Sequence, residues 1–422
     1  MEQKPLSFDA LVIGAGIAGI STALELAETG YSVALVEKEA FIGGRVARIN
    51  LYFPKMCPPT CGLEINIKRI KENDLVKLYT LAEVLNVDGE PGNFNAQIKV
   101  KPRYVKEGAD DKACERAAEA MSQERPNGYN LGLDKTKLIY LPYNNCFPLQ
   151  YVFDKDACTE DEAKMLASNF SDVIDLDQKE EIIDLNVKTV IWATGWDPYD
   201  ATKLETLGFG KYPGVIRNVE MERLSSPSGP NNGKIKIPGS DKEIKRVAFC
   251  QCAGSRDELH MEFCSSICCL ASMKQAQYVR EQYPDAEVHI FYIDIRTHGI
   301  FEEFYWKTQK DEMIKWHRGK AAKVFQEHGK DTYIVEAEDT ITGELKQAEV
   351  DLVVLATGMK PTTSDNAQVD KNILDRNGFV KDMPQTGIHG CGVCTGPKDV
   401  TGVVREATGA AIKAIHTIKE SE

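Results

Sequence analysis

The sequence lacks the features that would direct it to a bilayer, to nucleic acid or to secretion. It contains no run of about 18 apolar residues, the length that a membrane-spanning helix needs, and no signal peptide is evident at its start. It also lacks a basic excess, because 64 acidic and 51 basic residues give a formal net charge of −13. We therefore expect no direct membrane span, no nucleic-acid partner and a cytoplasmic location.

Without a secretory signal, the twelve cysteines favour metal binding or thiol redox chemistry over a disulfide scaffold. Most of them fall into three groups, and we interpret Cys114, Cys146 and Cys158 as ordinary thiols. The groups are Cys57 with Cys61; Cys250, Cys252, Cys264, Cys268 and Cys269; and Cys391 with Cys394. For Cys57 and Cys61, a redox or metal-binding pair and two reduced thiols that pack a loop remain equally open.

Residues 10–45 carry a complete nucleotide-binding β-α-β unit. A strand over 10–13 leads into Gly14, Gly16 and Gly19, a spacing typical of the turn that places a pyrophosphate on the N-terminus of a helix, here predicted over 17–29. A second strand, 32–36, places Glu37 where its carboxylate can bind both ribose hydroxyls. The extension Gly43-Gly44-Arg45 is typical of FAD enzymes, so we expect FAD as the nucleotide.

The sequence Ala-Thr-Gly-x-x-Pro ends two apolar strands, at 193–198 and 356–361. In flavoproteins such endings mark where the chain leaves and re-enters the FAD domain. We therefore predict an α/β fold, a two-dinucleotide-binding-domain flavoprotein of the disulfide-reductase type. Residues 1–198 and 346–422 would form the FAD domain, with a polar excursion near 107–132 that has no core, and residues 199–345 a degenerate Rossmann-like insert.

The insert has its own strand–helix–strand pattern, over 245–250, 264–283 and 287–294. In a nicotinamide-dependent reductase the first strand would lead into a second glycine turn, but here it leads into Cys250-Gln-Cys-Ala-Gly-Ser-Arg. Cysteines occupy the place of the turn that would hold NAD(P)H. We expect no efficient reduction by nicotinamides.

Near the C-terminus, Thr-Gly-Pro-Lys-Asp is typical of a helix start, and a helix over 401–418 would direct its N-terminus at the flavin. No residue is predicted to be catalytic. The residues predicted to bind FAD are Gly14, Gly16, Ile17, Ala18, Gly19, Glu37, Lys38, Gly43, Gly44, Arg45, Thr194, Gly195, Thr357, Gly358, Gly396, Lys398, Asp399 and Val400.

With these motifs, the sequence resembles the A subunits of heterodisulfide reductases nearly end to end. The resemblance lies in segments 249–257, 263–269, 292–296, 91–105 and 396–399. The short form resembles the A subunits of quinone-interacting membrane-bound oxidoreductases of sulfate reducers. That resemblance implies FAD, a [4Fe–4S] cluster in the insert, partner subunits B and C, peripheral attachment to the cytoplasmic membrane through them, and electron exchange between menaquinone and adenylylsulfate reductase.

One departure concerns a second cluster. Larger heterodisulfide reductase subunits carry a four-cysteine run after the segment that matches residues 101–105, whereas this sequence has Cys114 alone. One thiolate cannot hold a cubane, so we predict no cluster there.

In the insert, Cys252, Cys264, Cys268 and Cys269 are the predicted cluster ligands. Cys264 and Cys268 would share one face of a helix, Cys252 would extend from the preceding strand, and Cys250 would be a reserve ligand. A zinc site or buried thiols are the alternatives.

The leading interpretation is an electron-transfer flavoprotein subunit that links the menaquinone pool to adenylylsulfate reductase in sulfate reduction. Two alternatives are a soluble heterodisulfide reductase-type subunit and an NAD(P)H-dependent disulfide reductase that uses Cys57 and Cys61. A third alternative is a structural subunit that only docks partners.

Overall fold

The computed structural model describes residues 4–366 and 368–422. Its helices are α1 Ile17–Glu28, α2 Thr60–Lys71, α3 Asp111–Glu119, α4 Glu160–Asn169, α5 Asn218–Leu224, α6 Cys268–Gln282, α7 Phe301–Gln309 and α8 Val400–Glu420. Its strands are β1 Leu6–Ile13, β2 Val33–Val36, β3 Val76–Tyr79, β4 Ala82–Glu90, β5 Asn93–Val100, β6 Glu124–Pro126, β7 Lys135–Lys137, β8 Ile139–Tyr140, β9 Val152–Phe153, β10 Glu181–Trp192, β11 Trp196–Pro198, β12 Val215–Arg217, β13 Arg246–Cys250, β14 Glu287–Tyr292, β15 Ile314–Arg318, β16 Ala321–Phe325, β17 Tyr333–Glu338, β18 Leu345–Val350, β19 Leu352–Leu355, β20 Met359–Pro361 and β21 Ile388–Gly390.

The first lobe, residues 4–195 and 362–422, is built around β1. Strands β3, β2, β1, β10 and β21 lie side by side in that order, all parallel. The first half of β10 also pairs with β5, which pairs with β4, both antiparallel. Side chains of β2 are buried throughout, as expected for a parallel strand covered on both faces. Helices α1 and α8 pack on one face of the sheet. On the other face, side chains of β1, β2 and β10 pack with those of β4, β5 and residues 369–380.

The second lobe, residues 199–358, is the insert. Its parallel sheet has the order β12-β19-β13-β14-β15. Helices α5 and α6 pack on one face of this sheet, and the antiparallel strands β16, β17 and β18 pack on the other. This is the Rossmann-like arrangement that the strand–helix–strand pattern predicts.

Two short antiparallel strands, β11 and β20, carry the chain between the lobes. Trp196 pairs with Pro361 and Pro198 with Met359, so the two Ala-Thr-Gly-x-x-Pro segments lie side by side. The sequence placed the return to the first lobe at residue 346, but β18 and β19 still pair within the insert. Strands β18 and β19 are therefore part of the insert, because β19 is a central strand of its parallel sheet.

The polar excursion has a core of its own, so the expectation of a coreless segment was wrong. Helix α3 buries Ala113, Cys114, Ala117 and Ala118 against residues of β8, β9 and α4. Small side chains at i and i+4 form a buried stripe that is weak in hydrophobicity but sufficient for close packing. Cys114 lies in this core with none of its side chain exposed.

Buried polar contacts join the two lobes. The Asn50 N–H donates to Glu222 Oε2 at 3.1 Å, and Lys274 Nζ donates to the Leu51 oxygen at 2.6 Å. The fully buried Arg223 donates to the Arg48 oxygen at 3.1 Å. These bonds fix the insert against the segment that follows the first glycine-rich unit.

Candidate functional site

The first glycine turn joins β1 to α1. Gly14 has a φ of +100° and donates its N–H to the Val36 oxygen at 2.7 Å, and a Cβ there would lie 2.5 Å from the Ala193 oxygen. A Cβ on Gly19 would lie 1.8 Å from the Gly14 oxygen. These two glycines therefore permit the tight turn and the close packing of helix on strand.

Gly16 faces open space instead. The nearest atom to a Cβ on this residue would be Gly44 Cα, 4.0 Å away. Helix α1 begins at the next residue, and within the described chain its first turn has neither a side-chain cap nor an acidic residue. Its positive end is therefore available to an anion such as a pyrophosphate.

Glu37 lies at the end of β2 with its side chain fixed by backbone amides. Oε2 accepts from the Ala15 N–H at 2.7 Å, and Oε1 accepts from the Glu39 N–H at 2.9 Å. Burial raises the pKa of Glu37, against the lowering effect of these two bonds. Each carboxylate oxygen keeps a lone pair, so ribose hydroxyls can still donate to it.

These groups line one cleft of about 850 Å³ to which both lobes contribute. Most of the residues predicted to bind FAD line it: Gly14, Gly16, Ile17, Ala18, Glu37, Lys38, Gly44, Arg45, Thr194, Gly195, Lys398, Asp399 and Val400. Gly19, Gly43, Gly396, Thr357 and Gly358 lie outside its lining. Gly43 has a φ of +110° and packs against Leu63, because a Cβ at this position would lie 2.9 Å from Leu63 Cδ2.

Arg45 connects the glycine-rich turn to the crossing strands. Its Nε donates to the Trp196 oxygen at 3.2 Å, its guanidinium lies 5.3 Å from the centre of the Trp196 ring, and it forms an ion pair with Asp197. Burial lowers the pKa of Arg45, and Asp197 counteracts this effect. Arg45 thus stabilises one wall of the cleft.

Helix α8 directs its N-terminus at the same cleft. Asp399 caps the helix by accepting from the Gly402 N–H at 2.8 Å. Lys398 Nζ lies 2.6 Å from Glu406 Oε2, so the charge of this lysine is paired within the protein. The helix begins at Val400, one residue before the predicted start.

Thr194 indicates that the cleft fits a polar ligand. Its Oγ1 is buried and has no hydrogen-bond partner among the described residues. Such a hydroxyl costs about 1–3 kcal/mol, which a ligand that bonds to it would recover. The open Gly16 turn, the Glu37 carboxylate and two helix N-termini together fit a dinucleotide, and the predicted residues that line the cleft would hold FAD. Bound FAD would supply two-electron and one-electron redox chemistry.

Sequence reasoning missed Lys274, which also lines the cleft. Its Nζ lies 2.9 Å from Glu222 Oε1, and both side chains are less than a tenth exposed. Burial lowers the pKa of Lys274, while Glu222 raises it. The available signal was a single basic residue in the otherwise uncharged segment 268–279 of the insert helix, because a buried cation requires a partner.

The four predicted cluster ligands lie on the loop 251–267 and at the start of α6. The helix begins at Cys268, so the prediction that Cys264 lies on this helix was wrong. Ser266 has a φ of +61°, a left-handed conformation that an α-helix does not continue through. Cys264 therefore approaches from the loop, as does Cys252, whose φ is +57°.

The structure brings Cys252, Cys264, Cys268 and Cys269 together and separates Cys250 from them. Burial raises the pKa of Cys268, and each of the other three thiols raises it further. Burial alone raises the pKa of Cys250 to about 12, because this thiol packs in the core beneath β17 and β18.

Backbone N–H groups donate to two of the four thiols. The Ser266 N–H donates to Cys264 Sγ at 3.3 Å, and the Arg296 N–H donates to Cys269 Sγ at 3.4 Å. Within the described chain, no group of three or more potential ligands is arranged to hold an ion as it stands. Four thiolates are the donor set that suits an iron–sulfur cluster, so these residues would hold one if it is bound.

The second Ala-Thr-Gly segment faces the thiol loop and not the cleft. A Cβ on Gly358 would lie 2.2 Å from Ser265 Oγ, and the Met359 N–H donates to the same oxygen at 3.0 Å. Cys268 Sγ lies 3.8 Å from the Ala356 oxygen. Thr357 and Gly358 take this position because β19 belongs to the insert sheet, whose carboxyl edge carries the cysteines.

The remaining cysteine pairs differ in access. Cys57 and Cys61 are exposed, and Cys57 lines the cleft. Cys391 and Cys394 are completely buried, and Cys394 Sγ donates to the Trp192 oxygen at 3.0 Å. The second pair is therefore closed to solvent, while the first can contact it.

Comparisons with known proteins agree with this arrangement. The family model for FAD dependent oxidoreductases (DAO) matches residues 9–50. The chain is 39% identical to an iron-sulfur A subunit of the CoB--CoM heterodisulfide reductase of Methanopyrus kandleri and 37% identical to the A subunit of the H(2):CoB-CoM heterodisulfide,ferredoxin reductase of Methanothermobacter thermautotrophicus. Each alignment covers 98% of the chain and 65% of the relative, so the chain spans just under two thirds of their length.

Among solved structures, the chain resembles the thioredoxin reductase of T. acidophilum, with 16% identity, a TM-score of 0.53 and 98% of both chains covered. The thioredoxin reductase of Lactococcus lactis gives 15% identity and a TM-score of 0.53, covering 98% of this chain and 99% of that one. These likenesses confirm the predicted two-lobed flavoprotein fold. The family model and the relatives confirm the coarser prediction of a FAD-type oxidoreductase subunit. No described helix has the length and apolarity to cross a membrane.

Proposed function

We propose that this chain, similar along 98% of its length to the A subunits of heterodisulfide reductases, is an electron-transfer subunit that carries FAD in its cleft. Its second centre would be a [4Fe–4S] cluster held by Cys252, Cys264, Cys268 and Cys269. Bound FAD would supply two-electron chemistry and a bound cluster one-electron chemistry, with partner subunits as the source or the acceptor of the electrons.

A single observation carries the proposal: α6 takes part in both sites. Ile267, the residue before this helix, and Lys274 within it line the FAD cleft. Cys268 and Cys269 are its first two residues. Cys268 and Cys269 therefore lie next to the cleft on the same helix. This proximity supports electron transfer between a flavin and a cluster.

The insert also supports electron transfer over nicotinamide reduction. In a dinucleotide-binding unit the helix begins directly after the glycine turn. Here residues 251–267 separate β13 from α6 and carry cysteines instead. This loop occupies the carboxyl edge of the insert sheet, where NAD(P)H would bind.

The relatives favour the heterodisulfide reductase type of subunit over the quinone-linked type. Those compared above are named as subunits of heterodisulfide reductases. A role between menaquinone and adenylylsulfate reductase, with subunits B and C and peripheral attachment to the membrane, depends on the sequence resemblance alone. We propose that role as the second candidate.

Anaerobic isolation of the native complex tests both candidates. We expect one FAD per chain, iron and sulfide in equal amounts, a reduced-state EPR signal and co-purifying iron–sulfur subunits. Co-purification of a quinone-reactive membrane protein would select the second candidate. A chain without flavin, or with zinc in place of iron, would overturn the proposal.

A further inference from the structure

We propose that Cys57 and Cys61 form a dithiol–disulfide redox site at the edge of the FAD cleft, which exchanges an electron pair with the flavin and acts on small external disulfides. This inference rests on the proposed FAD site. It concerns a thiol pair distinct from the four predicted cluster ligands.

Cys57 lies at the edge of the cleft. Its loop lines the cleft through residues 51–55 and Cys57 itself. The loop is fixed at Leu51, whose N–H donates to the Tyr278 hydroxyl at 3.1 Å and whose oxygen accepts from Lys274 Nζ at 2.6 Å. The Tyr52 N–H then donates to the Cys57 oxygen at 2.8 Å. Backbone bonds therefore fix this thiol at the boundary between cleft and solvent.

Cys61 lies in the first turn of helix α2. Cys61 is the second residue of α2, directly after a Pro-Pro-Thr segment, and its side chain is exposed. Within the described chain, the first turn of α2 has no side-chain cap and no acidic residue. The first-turn N–H groups therefore have no side-chain acceptor, and the helix end beside this residue is open.

Exposure separates this pair from the other cysteines. Cys391 and Cys394 are completely buried, and Cys146 and Cys114 are buried in packed cores. Cys57 and Cys61 are both exposed and only four positions apart in the chain. Thiol exchange with an external molecule requires such access.

The proposed reaction has two steps. A Cys57–Cys61 disulfide accepts two electrons and two protons from the reduced flavin; the S–S bond breaks, two thiols form and the flavin is oxidised. The two thiols then reduce a small external disulfide by exchange, which restores the Cys57–Cys61 bond and releases two small thiols.

An anaerobic reductive titration of the FAD-loaded protein tests the proposal. After oxidation with bis(2-hydroxyethyl) disulfide and removal of the reagent, wild type should take up two more electrons per FAD than Cys61→Ser. Cys61 is the position to substitute because it does not line the cleft, so its loss leaves the cleft lining intact. Cys158→Ser is the control, since this partly exposed thiol lies next to the excursion core. Peptide mapping of oxidised wild type should show the Cys57–Cys61 bond.

The outcomes separate this inference from the proposed function. A FAD-loaded wild type whose electron uptake equals that of Cys61→Ser, or whose two thiols stay unlinked after oxidation, overturns the inference alone. A wild type that forms the disulfide but contains no flavin overturns the proposed function and the flavin-linked step with it. Extra uptake that disappears in Cys61→Ser and persists in Cys158→Ser supports the site.

Discussion

Lys274 and Glu222 form a buried ion pair at the FAD cleft, with Nζ and Oε1 2.9 Å apart. Both residues belong to the insert, yet each also bonds to the backbone of the first lobe, Lys274 to Leu51 and Glu222 to Asn50. The pair thus joins the two lobes where the proposed cofactor binds.

We predict that Lys274→Met destabilises the protein by about 3–5 kcal/mol, because Glu222 would keep a buried charge without its partner. The double variant Lys274→Met/Glu222→Gln should lose less, since the charge is then removed from both positions. Denaturant unfolding measures both values. Lys68→Met, at an exposed pair with Glu72, should change stability by less than about 0.5 kcal/mol. An equal loss in the single and double variants would contradict the pairing argument.

Gly16→Val should remove the flavin from the purified protein. A side chain at this position extends into the open space between the glycine turn and Gly44, where the pyrophosphate would lie. Flavin absorbance per chain is the measurement. Gly409→Ala is the matched control, because this helical glycine has no atom within 4 Å of a Cβ, and it should retain full flavin content. Full flavin content in Gly16→Val would refute the assignment of this turn.

Serine substitutions at the insert cysteines should distinguish the cluster ligands from thiols that do not bind the cluster. We expect Cys268→Ser and Cys269→Ser to lose most of their iron and the EPR signal. Cys250→Ser should keep both, because Cys250 lies in an apolar core apart from the other thiols. Iron analysis of anaerobically purified variants provides the test. If loss of Cys250 alone abolished the cluster, the ligand set would be wrong.

NADH and NADPH should reduce the isolated chain at far less than about 10 per second, a rate typical of enzyme turnover. The physical reason is the cysteine loop at residues 251–267, which replaces the turn that would bind the nicotinamide pyrophosphate. Stopped-flow absorbance of the flavin measures this rate, with dithionite as the positive control. Flavin bleaching by NADH at turnover rates would instead support a reductase.

Acid should destabilise the fold through His389. Burial lowers the pKa of His389 from 6.5 to about 4. Its Nε2 lies 3.1 Å from Thr417 Oγ1, and within the described chain its buried Nδ1 has no partner for an added proton. Because the folded state binds this proton less tightly, the stabilisation is complete above about pH 6.5 and is lost as the pH falls toward 4, up to about 3 kcal/mol.

His389→Gln should flatten this pH dependence, since glutamine does not ionise. His416→Gln changes an exposed histidine and should leave the profile unchanged. Unfolding midpoints between pH 4 and 7 report the effect. Parallel profiles for wild type and His389→Gln would exclude His389 as the cause.

Most of the fold could be predicted from the sequence because its main signals are local. The glycine spacing, the buried strand β2 and the two Ala-Thr-Gly-x-x-Pro endings each encode their structure within a few residues. The excursion could not be read in this way, because α3 packs through alanines and Cys114, which give little hydrophobic signal. The end of the insert was misplaced because β19 pairs with strands distant in sequence.

The same distinction between local signals and long-range packing applies to the candidate site. Residues adjacent to the glycine turns, such as Gly16 and Glu37, could be identified from spacing. Lys274 could not, because its proximity to the cleft depends on how the insert packs against the first lobe. The start of α6 was misjudged because periodicity places Cys264 on a helix face, whereas a left-handed Ser266 interrupts the backbone.

The crossing strands β11 and β20 have a mechanical consequence. Two short strands between lobes could serve as a hinge, but the lobes are also bonded through Asn50, Leu51 and Arg48, and Phe263 of the insert packs on Phe379 with ring centres 5.0 Å apart. These contacts oppose a hinge motion about β11 and β20. Helix α6 then keeps its position at the cleft, so the distance between the proposed flavin and the proposed cluster would be set by the folded structure and not by large-scale motion.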